Sequence, residues 1–206
     1  MAKERLKSPR ARLFVALDLP QDVRTGIVEW QQTALADPAL RIVRPDALHI
    51  TLVFLGYQAQ KDARAIARAT FATDAEAPAV ELQTEPVGVP PGKRPRLLAL
   101  GASSVETVAL QAGVEERLVE AGFHEPEKRA FWPHVTVARV KPEARGGRKP
   151  ALITTQPHPL PEHMFRFFRP TRLVLFQSHL RRSGAEYEPM AELELPTAHD
   201  DQETER

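Results

Sequence analysis

The feature that most constrains this chain is a four-residue pattern that occurs twice: histidine, apolar residue, threonine, apolar residue. It reads HITL at residues 49–52 and HVTV at residues 134–137. Each copy stands in a run of residues that favour β-strands. Because side chains alternate between the two faces of a strand, the histidine and the threonine of each copy share one face, and the apolar residues point into a core. Two such strands lying side by side would bring two imidazoles and two hydroxyls to one cleft.

The alternative interpretation is structural, since a single histidine-x-threonine on a half-exposed strand needs no function. The duplication and the similar lead-ins argue against it: each copy has an arginine and a proline just upstream, the arginines being Arg44 and Arg129. Near neutral pH one imidazole can accept a proton while another donates one. We therefore interpret His49 and His134 as a candidate acid–base pair.

The bulk composition narrows the class of protein. At 206 residues with 42% hydrophobic residues, the chain is long enough to bury a substantial core. A net charge of +1 means that nucleic-acid binding would need a local basic patch. The absence of cysteine excludes disulfides, thiolate nucleophiles and cysteine-based zinc sites. Without a secretory leader or a run of about 20 apolar residues, we expect a cytoplasmic protein.

The periodicity of apolar residues predicts an α+β protein. Glycine is expected to close the first motif strand at Gly56 and to follow the third helix at Gly122. Strands are predicted at residues 13–19, 48–55, 78–84, 97–101, 133–140, 172–178 and 191–195, helices at 21–35, 61–71 and around 110–118, and a loop at 88–96.

About 85 residues separate the two motifs, which is too long for a solenoid repeat. This spacing suggests two similar lobes related by a pseudo-two-fold axis, each giving one strand to a central cleft. We expect a single bilobal domain at 11–196, with a disordered basic tail at 1–10 and a disordered acidic tail at 197–206.

Four segments carry a resemblance to a known family: RLFVALDLP, RPDALHITLVFLG, RAFWPHVTVARV and RLVLFQSHL. With these, the chain resembles the 2H phosphoesterase superfamily and, more closely, the bacterial and archaeal RNA 2′,3′-cyclic phosphodiesterases, also called 2′-5′ RNA ligases. The resemblance runs from residue 12 to residue 195. It implies two pseudo-symmetric lobes of antiparallel sheet with flanking helices around a cleft. It also implies hydrolysis of a 2′,3′-cyclic phosphate to a 2′-phosphomonoester.

The resemblance implies a role for each motif residue. His49 maps to the proton donor for the 3′ leaving oxygen, and His134 to the base that activates water. Thr51 and Thr136 map to the phosphate grip, and Arg139 to a positive charge beside it, although a surface arginine at a strand end is the alternative. The residue chemistry agrees, because hydroxyls can donate to the non-bridging oxygens where negative charge is held. The sequence itself does not order the two histidines.

Further residues are candidates for contacts with RNA. Phe14, Phe131 and Trp132 offer rings for base stacking, with a core position as the alternative for Phe14. Basic residues in three loops are candidates for backbone contacts, with a solvated surface as the alternative: Lys93, Arg94 and Arg96, then Lys141, Arg145, Arg148 and Lys149, then Arg181 and Arg182. Phosphate contacts by these loops would make binding weaken as salt rises.

Several functional alternatives stay open at the level of sequence. The chain could act on a small cyclic nucleotide or a tRNA-splicing by-product, or bind RNA without turnover. The reverse reaction would join a cyclic end to a 5′-hydroxyl without ATP, and no P-loop is present. No cofactor and no metal site are expected, since the chain lacks HExxH and cysteine pairs; use of His49 and His134 as metal ligands is the alternative. We expect a monomer acting on RNA with cyclic phosphate ends, away from membranes.

Overall fold

A computed structural model of the chain describes residues 9–161, 167–181 and 184–197. Most of both predicted tails, and Arg182 with them, lie outside the described residues. The first strand begins at Arg10, the last residue of the predicted basic tail. In the described part of the chain, no helix is long and apolar enough to cross a membrane.

The described residues form nine strands and three α-helices. The strands are β1 (Arg10–Asp18), β2 (Leu40–Ile42), β3 (His49–Ala59), β4 (Glu81–Leu82), β5 (Val87–Val89), β6 (Leu97–Ser103), β7 (His134–Val140), β8 (Arg172–Arg181) and β9 (Gly184–Glu194), and the helices are α1 (Gln21–Ala34), α2 (Ala63–Phe71) and α3 (Val105–Glu120). Short 3₁₀ turns at Pro45–Ala47 and Gln60–Asp62 precede β3 and α2.

The strands pair antiparallel in the order β4-β6-β7-β3-β1-β8-β9, with β2 added to β7 and β5 added to β6. We call β1, β3, β8 and β9 the first lobe, and β2, β4, β5, β6 and β7 the second lobe. The lobes join where β3 pairs with β7 through Ile50 and Val135. The predicted α+β class and the two lobes that each contribute one motif strand are confirmed.

The lobes are not successive halves of the chain. The hairpin of β8 and β9 returns from the C-terminal end to pair with β1, so the first lobe holds both ends of the domain. Helices also cross between lobes. Gln31 of α1 donates to the carbonyls of Val43 and Val137 beside β7, and α3 contacts β3. This interlocking makes the two lobes one packed body.

Helix α1 matches its prediction because its apolar stripe is buried. Val23, Ile27, Trp30 and Ala34 are each at most 5% exposed. The indole nitrogen of Trp30 donates to backbone carbonyls of the segment before residue 161. The polar atom of this core side chain is therefore satisfied.

Helix α3 has well-formed caps at both ends. The Ser104 hydroxyl accepts from the backbone N–H of Thr107 at 2.9 Å. At the other end, Gly122 has φ +74° and donates to the Val119 carbonyl, while Phe123 donates to the Leu118 carbonyl. Those two bonds form a Schellman motif, as expected for a glycine just past the helix.

Other boundaries differ from the predictions. Residues 87–89 form β5 because they pair with the start of β6, although the predicted loop began at residue 88. The strand predicted at 78–84 is reduced to β4, and β2 was not predicted. Gly56, at φ +65°, does not end β3; it lies at a register shift, and the strand continues to Ala59. The last two strands run on into a long hairpin, which places Arg181 on β8 rather than in a loop.

The main core lies between the sheet and the helices, and it includes both apolar positions of each motif. Ile50, Leu52, Val135 and Val137 are each at most 5% exposed. A second, smaller cluster of Phe14, Ala16, Val174 and Phe176, with Tyr187 against it, lies on the other face of the first lobe. It forms an apolar floor beneath the cleft.

Candidate active site

The two motifs face each other about the single residue pair that joins the lobes. Ile50 pairs with Val135. Continuing this antiparallel register by one residue in each direction places His49 opposite Thr136 and Thr51 opposite His134. The two motifs are thus related by a local two-fold axis. The structure brings together the four residues that the sequence singled out.

Both motif strands carry a β-bulge at the same position. In β3, Ala16 pairs with Thr51 and Val15 with Val53, so Leu52 is the extra residue. In β7, Ala99 pairs with Thr136 and Leu98 with Ala138, which makes Val137 the extra residue. A bulge shifts the side chains beyond it to the opposite face.

The bulges determine which side chains beyond each threonine point into the cleft. Strict alternation would turn Phe54 and Arg139, each three residues past its threonine, away from the histidines. After the bulges both side chains line the cleft. Phe54 and Arg139 are therefore equivalent under the local two-fold axis but differ in chemistry.

Both imidazoles hold their Nδ1 against the backbone. His134 Nδ1 lies 2.8 Å from the carbonyl oxygen of Trp132, so Nδ1 carries the proton and Nε2 is free to accept one. His49 also hydrogen bonds to the backbone two residues earlier, at Ala47. Because Nε2 lies 3.0 Å from the Thr51 hydroxyl, we assign that bond to Nδ1.

His49 is held more tightly than His134. Its ring packs 5.0 Å from the ring of Phe14 and 5.2 Å, edge-on, from that of Tyr187. Arg24 of α1 donates to the carbonyls of Leu48, at 3.0 Å, and Pro45, and so fixes the segment that leads to His49. An ion pair with Asp18 completes the support of Arg24.

This environment favours the neutral form of His49. Burial lowers the pKa of His49 to about 3, and the hydrogen bond to Ala47 opposes this shift. The charges of Arg24, His134 and Arg139 lower the pKa further. In the absence of an anion, His49 is therefore neutral at neutral pH.

The cleft has a volume of about 700 Å³, which is the size of an ordinary nucleotide pocket. The described part of the chain lines it with five arginines and no acidic residue: Arg12, Arg41, Arg44, Arg139 and Arg181. This is a local concentration of positive charge in a protein of net charge +1. Among the described residues, no group of three His, Cys, Asp or Glu side chains could hold a metal ion. The hydroxyls and guanidinium groups suit an anion.

The predicted stacking residues are not placed as free ring faces. Phe14 lines the cleft but is 2% exposed, stacked on Phe176 at 5.2 Å. Phe131 packs against the main core. Trp132 stacks on the ring of His134 at 4.5 Å and lines a neighbouring groove instead of the cleft. Phe54, which sequence reasoning missed, is 58% exposed in the cleft and offers the free face.

The basic loops divide into braced and free residues. Arg94 and Lys149 both form ion pairs with Glu143, and Lys141 donates to the Pro38 carbonyl. Arg96 and Arg148 line a second basin beside the cleft, which Arg41 and Arg139 also line. The exposed residues Lys93 and Arg145 line neither the cleft nor this basin. Arg181 lines the cleft and pairs with Glu186 at 3.1 Å.

Sequence reasoning missed several cleft residues because strand pairing, not local sequence, brings them in. Arg41 lies on β2, which was not predicted, and pairs directly with Arg139. Arg12, Ser178 and Tyr187 come from β1, β8 and β9. Of the cleft residues that were missed, only Arg44 had a signal in the sequence, namely its position just upstream of the first motif.

The sequence is similar to a known protein family and to named members of it. A sequence model of the 2′-5′ RNA ligase superfamily matches residues 19–182. The chain is 34% identical over 135 residues to the RNA 2′,3′-cyclic phosphodiesterase of Methanothermobacter thermautotrophicus, covering 64% of this chain and 72% of that protein. It is 28% identical over 182 residues to the protein of the same name from Escherichia coli, covering 87% and 93%.

Solved structures share the fold. A crystal structure from Thermus thermophilus superposes with a TM-score of 0.69 at 26% identity, covering 91% of this chain and all of that one. The apo form of Escherichia coli LigT superposes with a TM-score of 0.71 at 23% identity, covering 92% and 100%. The bilobal architecture is thus shared across nearly the whole domain.

Proposed function

The chain belongs to the 2′-5′ RNA ligase superfamily, and we propose that it is an RNA 2′,3′-cyclic phosphodiesterase that works by two-histidine acid–base catalysis. The observation that carries the proposal is the facing pair of motifs. Two imidazoles, each hydrogen bonded to the backbone two residues earlier, stand in a cleft whose described lining residues include five arginines and no carboxylate. A cyclic phosphodiester is an anion whose opening needs one proton removed and one supplied.

The proposed reaction balances its protons between the two rings. His134 Nε2 takes a proton from water as the water oxygen bonds to phosphorus. The bond from phosphorus to the 3′ oxygen breaks, and protonated His49 gives its Nε2 proton to that oxygen. The product is a 2′-phosphomonoester with a free 3′-hydroxyl. Proton exchange with solvent then restores both rings.

If His49 is the acid, binding of the substrate must raise the pKa of His49. In the free protein the ring is neutral, since burial and neighbouring positive charges oppose protonation. A bound phosphodiester brings a negative charge to the cleft and favours the imidazolium. Binding of the substrate would therefore favour the protonated form of His49 that the reaction needs.

Thr51, Thr136 and Arg139 would hold the non-bridging phosphate oxygens. Thr51 now lies against His49 Nε2, so its hydroxyl would turn from the ring to the phosphate on binding. The base would stack on Phe54, whose exposed face lies on the first-lobe side of the cleft.

Further features of the function are part of this proposal. The reaction needs no metal and no ATP, and its reverse would join a cyclic end to a 5′-hydroxyl through a 2′-5′ bond. We propose that the protein acts as a monomer in the cytoplasm.

The test is incubation with a short RNA ending in a 2′,3′-cyclic phosphate, in EDTA, with identification of the product end. A 2′-phosphate is expected. Replacing His49 or His134 by alanine should each lower the rate by about 10²–10⁴-fold. His179, which pairs with Glu188 outside the cleft, provides the matched control, and His179→Ala should keep full activity. Binding without turnover would indicate a binding module, and turnover only with added divalent ions would contradict the metal-free mechanism.

A further inference from the structure

A second basin adjoins the cleft on the second-lobe side. It has a volume of about 540 Å³, and the residues that the structure describes around it include four arginines and no carboxylate: Arg41, Arg96, Arg139 and Arg148. Arg41 and Arg139 line both cavities, so the basin is continuous with the catalytic cleft.

The fold places like charges face to face in this basin. Arg41 on β2 pairs directly with Arg139 on β7. Like charges opposite each other across a strand pair destabilise a sheet unless something offsets their repulsion. Within residues 9–161, 167–181 and 184–197, no hydrogen bond or ion pair joins any of the four arginines to a carboxylate. An anion between them would remove the repulsion.

The loop at residues 141–150 places one of these arginines, Arg148, at the basin. Residues 141–150 close on themselves through backbone bonds, including Glu143 to Lys149 and Ala151 to Lys141. Arg94 donates to the Pro150 carbonyl at 2.6 Å and pairs with Glu143. Arg94 and Lys149 thus brace the loop, and Arg148 is left free to line the basin.

We infer that this basin binds the backbone phosphates upstream of the reacting end of an RNA. The inference rests on the proposed function. An RNA that ends in a 2′,3′-cyclic phosphate continues only on its 5′ side, so every phosphate except the reacting one is upstream. The reacting nucleotide would occupy the cleft, and Arg139 lines both cavities. On the other side of the cleft, Arg181 forms an ion pair with Glu186 at 3.1 Å, so its charge is less available to a phosphate.

The experiment compares two substrates, a tetranucleotide ending in a 2′,3′-cyclic phosphate and uridine 2′,3′-cyclic monophosphate, which has no upstream phosphate. The readout is the ratio of their kcat/KM values. Arg96→Gln and Arg148→Gln should each lower this ratio about three- to tenfold and make the salt dependence of the tetranucleotide shallower. Arg145→Gln removes the same charge from the same loop outside the basin and should leave the ratio unchanged.

The outcomes separate the two proposals. If the wild-type protein turns over neither substrate, the proposed function fails and this inference with it. If both are turned over but the basin variants change the ratio no more than Arg145→Gln does, the basin assignment alone is overturned. Loss confined to joining a 5′-hydroxyl fragment would also overturn it, because the basin would then hold the downstream strand.

Discussion

At the scale of single residues, the pKa of His49 decides how the proposed acid is charged. Burial holds this pKa at about 3 in the free protein. We predict that the His49 Cε1–H resonance keeps its neutral position through the range in which an ordinary histidine titrates, about pH 5.5 to 7.5. Saturation with adenosine 2′-monophosphate should raise the pKa, because an anion stabilises the imidazolium. NMR titration with and without the nucleotide measures both values.

The control for this titration is His179, which lies outside the cleft beside Glu188. Its resonance should not respond to the nucleotide. A His49 pKa that stays low with ligand bound would contradict the assignment of His49 as the acid. The first motif alone could not reveal the low pKa of His49, because this shift comes chiefly from burial by residues elsewhere in the chain, such as Phe14 and Tyr187.

At the scale of secondary-structure elements, the bulges explain why the sequence predicted the motifs but not their neighbours. The alternation of His134, Val135 and Thr136 was readable because strand side chains alternate. The placement of Arg139 in the cleft was expected only from the family resemblance, since alternation turns it the other way. A bulge depends on which residue the partner strand skips, and this information is not local.

The bulge in β7 is braced by a buried side chain of α1. Gln31, 2% exposed, donates from Nε2 to the carbonyls of Val137 at 2.8 Å and Val43 at 3.2 Å. We predict that Gln31→Met, which keeps the volume but removes the donor, costs about 1–3 kcal/mol of unfolding free energy. It should also lower kcat/KM, because the bulge aims Arg139. Denaturant unfolding and kinetics measure the two effects.

A matched control separates stability from positioning. Gln111 of α3 is also buried, and its amide donates to Glu115 within the same helix. Gln111→Met should leave kcat/KM unchanged. In an Arg139→Gln background, Gln31→Met should lower kcat/KM little further, since the group that it positions is gone. An additive loss would show that Gln31 acts on the site by another route.

At the scale of the whole molecule, the pairing of the lobes would separate the parts of the proposed substrate. Each lobe contributes a histidine and a threonine to the cleft. Beyond these, the first lobe presents Phe54 and its apolar floor, while the second presents Arg139 and the arginine basin. The bilobal class was predictable from the duplicated motif. The interlocking was not, because the return of β8 and β9 to β1 is set by long-range pairing.

Phe54 and Arg139 are equivalent under the local two-fold axis, but their replacement should affect different parts of substrate binding. Phe54→Ala should raise KM for the cyclic tetranucleotide by about five- to a hundredfold, as one base–aromatic stack is worth ~1–3 kcal/mol, with kcat nearly unchanged. With a terminal abasic cyclic phosphate, Phe54→Ala should have little effect. Arg139→Gln should lower kcat/KM for both substrates, because it removes the positive charge beside the reacting phosphate. Tyr57→Ala, a comparably exposed aromatic on the same strand outside the cleft, is the control. Equal losses for Phe54→Ala on both substrates would mean that Phe54 supports the cleft rather than the base.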